Sequence, residues 1–256
     1  MDTRAGAGSH EAGEEAGNGG VRLYGIFDTW GADLEQRRVI ARQLTPGGDT
    51  GSAWFLGGSG AGKSSLAAAV ARELADRQCW PLLIVDTEET MGDAFPAVPV
   101  AHSVGDAARL LWTDGSHCRW MPNDPDELER MAELARQLRR VVLLVDESAD
   151  YLHSGTRTRS RVLKLIRTHR HSEVWLLFTT QHPSGDVPQA AFGGGPLLYV
   201  FQTSVPAALE QLERQWGVPA FLPQRLAAGQ CVVVETGLTT QLPPAARALR
   251  LGTVPC

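Results

Sequence analysis

Short, nearly uninterrupted apolar runs recur from Ala53 onward, among them Leu82-Leu83-Ile84-Val85, Val141-Val142-Leu143-Leu144-Val145, Val174-Trp175-Leu176-Leu177-Phe178 and Cys231-Val232-Val233-Val234. A strand with one wet face alternates polar and apolar residues; these runs do not, so they fit a sheet covered on both faces. The segments between them carry helical spacing. Strand, helix, strand in succession requires a mainly parallel sheet with helices on each side. Strands are expected over 53–56, 82–86, 97–101, 141–145, 174–179, 197–202 and 231–235, and helices over 63–77, 105–112, 125–139, 157–169 and 205–215. No internal repeat is present, and 256 residues suffice for one such α/β core.

Four segments follow. Residues 1–20 are rich in glycine, alanine and glutamate with almost no large apolar side chain, and are expected to be a disordered tail. Residues 21–50 form an N-terminal extension with one short helix from Asp33 to Leu44, its role open, a strap onto an adjacent subunit being one option. The core is expected over 51–240 and a C-terminal tail over 241–256. No apolar stretch is long enough to span a bilayer and no apolar signal core opens the chain, so a cytoplasmic protein is expected. The cysteines Cys79, Cys118, Cys231 and Cys256 are scattered without a CxxC pair, against a disulfide framework or zinc site. A net charge of −5 argues against an overall basic coat for nucleic acid, though not against a local basic face.

Between the run 53–56 and the helix expected at Lys63 stands Gly57-Gly58-Ser59-Gly60-Ala61-Gly62-Lys63-Ser64-Ser65. It fits G-x-x-x-x-G-K-S in the strand–loop–helix setting that the phosphate-binding pattern requires. Glycines let successive backbone N–H groups turn toward phosphate oxygens, and the helix adds its positive end. Lys63, one of only two lysines beside 22 arginines, is expected on the β- and γ-phosphates of ATP, with the Ser64 hydroxyl on Mg²⁺. The plain alternative is a glycine-rich turn with a solvated lysine, which the flanking elements disfavour.

The run 141–145 delivers Asp146 and Glu147 to a strand's C-terminal end, where open α/β sheets bind ligands. Asp146 can serve the Mg²⁺ shell and Glu147 can polarise an attacking water; a strand-ending acidic turn is the bland reading. Gln181 follows the run 174–179 and can sense a γ-phosphate or orient water through its amide. Residues 151–172 carry Arg157, Arg159, Arg161, Lys164, Arg167 and Arg170 with three histidines and no acid. Such a face suits a phosphate backbone, with a solvated helix as the alternative. Asp86, Glu88 and Glu89 in Val85-Asp86-Thr87-Glu88-Glu89-Thr90 are read as a capping turn. His117-Cys118 has no partner at metal spacing.

Phosphate loop, apolar strand with Asp-Glu, then strand with Gln is the motif set of the additional-strand, catalytic-glutamate NTPases. The stretch THRHSEVWLLFTTQHPSGDVP, with Arg170 eleven positions before Gln181 and Thr180-Gln181-His182-Pro183 after the strand, resembles the FtsK–HerA family of DNA-pumping ATPases. The resemblance covers roughly residues 52–236. It implies a P-loop NTPase three-layer sandwich with sheet order 5-1-4-3-2, Arg170 (or its rival Arg167) as an arginine finger on a neighbouring subunit's nucleotide, Gln181 as sensor, and a homo-oligomeric ring, usually hexameric. Lacking an N-terminal barrel, a membrane segment and a C-terminal DNA-reading domain, the chain looks most like the genome-packaging ATPases of tailless, membrane-containing icosahedral viruses. That likeness implies double-stranded DNA as non-specific partner, with Arg157, Arg159 and Arg161 as contact candidates, and capsid vertex proteins as further partners. The rival expectations are a phage-assembly or extrusion ATPase of the same fold and a small-molecule kinase.

Overall fold

In a computed structural model, residues 22–28, 34–87, 89–113, 117–122, 124, 126–152, 160–181, 187, 189–192 and 194–237 are described. The expected tails 1–20 and 241–256 therefore lie outside the described residues, as do Arg157, Arg159, His182 and Pro183. The elements in chain order are β1 (Arg22–Asp28), α1 (Leu34–Leu44), β2 (Gly51–Leu56), α2 (Lys63–Gln78), β3 (Leu82–Val85), β4 (Val100–Ala101), α3 (Val104–Thr113), β5 (Cys118–Trp120) and α4 (Asp126–Leu138). They continue with β6 (Val141–Val145), α5 (Ala149–Leu152), α6 (Ser160–Thr168), β7 (Val174–Thr180), a 3-10 turn (Gln189–Phe192), β8 (Leu197–Phe201), α7 (Pro206–Trp216), α8 (Phe221–Arg225) and β9 (Gln230–Glu235).

Among the described residues all strands join one nine-stranded sheet, order β1-β9-β8-β2-β7-β6-β3-β5-β4. Counting the strand that feeds the glycine-rich loop as the first, its middle β8-β2-β7-β6-β3 is the expected 5-1-4-3-2 order. Beyond that order the sheet is wider than expected. The strands from β8 to β4 pair in parallel, whereas β9 runs antiparallel to β8 and β1 antiparallel to β9.

Period-two geometry divides each apolar run between the two faces. Trp54, Leu83, Val85, Leu143, Leu176, Phe178 and Val200 join one buried cluster with residues of α3, α4, α6 and α7. Phe55, Ile84, Leu144, Trp175, Leu177 and Tyr199 join the other, closed by α2 and α1. Helix α2 presents Ala67, Ala68, Ala71 and Ala75 to the sheet, small side chains that allow its axis to lie close over β6 and β7. The Tyr199 hydroxyl donates to the Leu44 carbonyl, tying α1 into this layer.

Three expectations need correction. The strand expected over 97–101 reduces to Val100–Ala101, since Pro96 and Pro99 have no N–H to give a ladder. Strand β5, unread in the sequence, is only three residues long. The option of a strap from 21–50 onto a neighbour gives way to β1, which pairs along β9 of its own chain with a register shift between Tyr24 and Ile26, around Gly25.

Candidate active site at the C-terminal edge of the sheet

Because β2, β3, β6 and β7 run parallel, their C-terminal ends share one edge, and the predicted motifs meet there. The loop leaving β2 is pinned first. The Gly58 N–H donates to the Gln202 carbonyl at 2.8 Å and the Gly57 N–H to the Thr180 carbonyl at 3.3 Å, so the turn hangs from the ends of β8 and β7. Glycine is required at 57: a Cβ there would stand 2.7 Å from the Phe201 Cβ. Gly62, with φ 101°, is the N-cap of α2 in a left-handed conformation, which glycine adopts without a steric penalty. No side chain caps α2 and no acid stands in its first turn, which suits a helix whose N-terminal amides serve an anion. Ser59 and Gly60 form the exposed loop tip, while Lys63 is 95% buried in effect, at 5% exposure, its ammonium donating to the Gly58 carbonyl at 2.9 Å.

Asp146 is brought to Ser64 as expected. The Ser64 hydroxyl donates to Asp146 Oδ1 at 3.0 Å. Two threonines complete the arrangement: Thr179 Oγ1 donates to the same Oδ1 at 2.6 Å, and Thr90 Oγ1 donates to Oδ2, also at 2.6 Å. Neither threonine was singled out in the sequence. The available signal was positional, one hydroxyl residue in the turn five residues past the apolar run of β3 and another near the end of β7.

Glu147 is buried and its backbone lies at φ 41°, a region costly for a residue with a Cβ and characteristic of functional sites. Its N–H donates to Thr179 Oγ1 at 2.9 Å, which holds the turn. The carboxylate Oε1 accepts from Thr180 Oγ1 at 3.2 Å and from the Gln181 N–H at 3.1 Å. Burial pushes the Glu147 carboxyl above its ordinary range; the Gln181 amide, the Lys63 charge and the Gln181 and Thr180 side chains oppose that rise. Gln181 thus meets Glu147 with both backbone and side chain. A carboxyl desolvated yet held by donors is suited to accept a proton near neutral pH.

Asp86 is fully buried at the end of β3. Both carboxylate oxygens accept the Met91 N–H, at 3.3 and 3.2 Å, as the capping-turn reading requires, and Arg119 lies 3.5 Å away. Burial raises its carboxyl, against the Met91 bond and the Arg119 charge.

The predicted finger is not brought to this edge. Arg170 is exposed before the start of β7 and donates to the Gly194 carbonyl at 3.4 Å. Seven residues of β7, at about 3.3 Å each, place it roughly 20 Å from Gln181. Arg167 is exposed in the last turn of α6. Arg161 is exposed at the other end of that helix, and the basic stretch is not acid-free in space: Glu129 of α4 accepts the Arg161 N–H at 2.9 Å. Among the described residues no cluster of histidine, cysteine and acid could hold a metal by those ligands alone, and no helix is long and apolar enough to cross a membrane.

Several solved structures share this fold. The genome-packaging NTPase B204 from Sulfolobus turreted icosahedral virus 2, in complex with AMP, superposes with a TM-score of 0.62 at 15% identity, over 73% of this chain and 93% of that one. B204 described as the DNA-packaging ATPase of Sulfolobus turreted icosahedral virus gives 0.60 at 13% identity, over 77% and 99%. The pCW3 conjugation coupling protein TcpA, with ATPγS, gives 0.52 at 15% identity, over 88% and 65%. These neighbours share the fold that the FtsK–HerA resemblance implies. No curated protein sequence matches the chain. Residues 53–192, more than half of the chain, match the family described as "ATPase family associated with various cellular activities (AAA)". The chain belongs to that family, and the loop, the acidic pair and the doubly covered parallel sheet are those of a P-loop ATPase.

Proposed function

We propose that this ATPase is a translocase of double-stranded DNA, and specifically a viral genome-packaging motor. The observation that carries the reading is the single constellation at one sheet edge, Lys63 in its glycine loop, Ser64 on Asp146 and Glu147 under Gln181, set in a fold shared with a packaging NTPase over nearly that protein's whole length.

In this reading residues 57–65 hold the triphosphate of ATP by main-chain amides and Lys63. The donor set fits a magnesium ion: a serine hydroxyl on the helix that starts at the loop, beside a buried carboxylate at the end of β6. Ser64 and Asp146 would hold Mg²⁺, which when bound neutralises phosphate charge. Glu147 takes a proton from the attacking water as its oxygen bonds to the γ-phosphorus and the bond to the ADP oxygen breaks. Gln181, already on Glu147, orients that water and reports the γ-phosphate. Arg170 is too far from its own chain's Glu147 and acts on the nucleotide of the next subunit in a ring, most simply a hexamer. Arg157, Arg159 and Arg161 contact the DNA backbone without reading sequence. Capsid vertex proteins are the docking partners, and the host cytoplasm is the place of action.

The test is ATP turnover with linear duplex DNA, with single strands as control. Duplex DNA is expected to raise turnover several-fold, steeply weakened by salt; replacing Arg157, Arg159 and Arg161 together by alanine should flatten both effects. Turnover indifferent to duplex DNA in the assembled protein would leave an ATPase of another task, such as phage assembly.

A further inference from the structure

We infer that Thr90 is a positioning residue of the magnesium site, an outer hydroxyl that sets the plane of the Asp146 carboxylate. This rests on the reading of Asp146 as a magnesium-site residue. Asp146 is 3% exposed and its two oxygens are claimed unequally. Oδ1 is shared by Ser64 and Thr179, at 3.0 and 2.6 Å, from the two strands or helices that build the site. Oδ2 receives Thr90 Oγ1 at 2.6 Å, from a different part of the chain. A carboxylate fixed on one oxygen still swings about its Cβ–Cγ bond; a donor on each oxygen removes that freedom. Thr90 also lines the same open groove as Ser64 and Ser65, at the end of the phosphate loop.

The turn bearing Thr90 is built independently of that bond. Asp86 accepts the Met91 N–H at 3.2 Å. The Phe95 N–H reaches the Met91 carbonyl at 3.0 Å. Arg72 of α2 donates to the Ala94 carbonyl at 2.5 Å and lies 4.9 Å over the Phe95 ring. Arg119 packs over Gly92, where a Cβ would stand 2.5 Å from the guanidinium. Thr90 is therefore the end of a braced arm held from α2 and β5. Its hydroxyl is not needed to shape the turn, which separates a role toward Asp146 from a role in folding.

The experiment is binding of a fluorescent ATP analogue, titrated at a series of Mg²⁺ concentrations and again in EDTA, on Thr90→Val, Thr90→Ser and Asp146→Asn. Thr90→Val should raise the Mg²⁺ concentration for half-maximal binding about tenfold, the low end for loss of an outer-shell bond. Binding in EDTA should be unchanged, and Thr90→Ser should restore the native Mg²⁺ response. Should valine lower the thermal midpoint, Thr90→Ala, with no added bulk, is read in the same titration. A native Mg²⁺ response in the variants lacking the hydroxyl, while Asp146→Asn shifts, overturns the role of Thr90 alone. No shift in Asp146→Asn either overturns the magnesium reading, and the role of Thr90 with it.

Discussion

The two ends of the parallel strands differ in kind. At the C-terminal edge the charged groups include Lys63, Asp86, Asp146 and Glu147, all buried and each hydrogen-bonded to serine, threonine or main chain. At the N-terminal edge stand Arg139, Arg140, Arg170 and His171, exposed, with Glu173 bridging Arg139 at 3.7 Å and Arg140 at 3.3 Å. Arg139, Arg140 and Glu173 all have positive φ, from 47° to 54°, so the tight entries to β6 and β7 splay these side chains outward. One edge is desolvated and mainly acidic; the other is wet and cationic. On the proposed mechanism, a lone subunit carries both halves of a charge-stabilised phosphoryl transfer but holds them a strand's length apart.

The strongest way to break that comparison is to delete the far cation. Arg170→Ala should slow turnover of the assembled protein by about 10³-fold or more, the size of a trans arginine, without weakening nucleotide binding. Mixing Arg170→Ala with Glu147→Gln subunits should recover part of the rate, because each supplies what the other lacks. A rate unaffected by Arg170→Ala would assign the finger elsewhere, Arg167 first.

A second test concerns the buried edge. Because burial raises the Glu147 carboxyl, turnover should fall about tenfold per pH unit on an acid limb lying above the usual carboxylate range. The linked stability has the matching sign. A carboxyl whose pKa is raised by folding adds stability below its unfolded pKa, and that contribution is lost as pH climbs through the folded value. Glu147→Gln should therefore abolish most turnover yet raise the thermal midpoint at neutral pH, a trade expected of a strained functional position. A pH-rate profile and thermal melts of both proteins check the pair of outcomes. The smallest effect belongs to the wet edge: Glu173→Ala should cost less than about 1 kcal/mol in denaturant unfolding, as exposed ion pairs do.

Much of this was legible in the chain because it is local. The loop 57–65 declares itself by glycine spacing, and Asp146 and Glu147 by standing directly after five apolar residues. What escaped depends on which strand ends become neighbours. Thr90 and Thr179 matter only because β3 and β7 flank β6, an adjacency that no window of sequence contains. The stretch 151–172, acid-free in sequence, gains an acidic neighbour for the same reason, since α4 brings Glu129 to the start of α6. Strand β1 went unread because Gly25 interrupts its apolar run and its partner lies at the other end of the core.

That last pairing governs how the molecule is born. Arg22 pairs with Glu235 across the ladder, so β1 leaves the ribosome well before its partner and waits until nearly all of the core behind it has been translated. Until β9 arrives, the flank of β8 is an open ladder too. Nascent chains stalled before Gln230 are therefore expected to present two unpaired margins, the kind of edge through which incomplete chains aggregate.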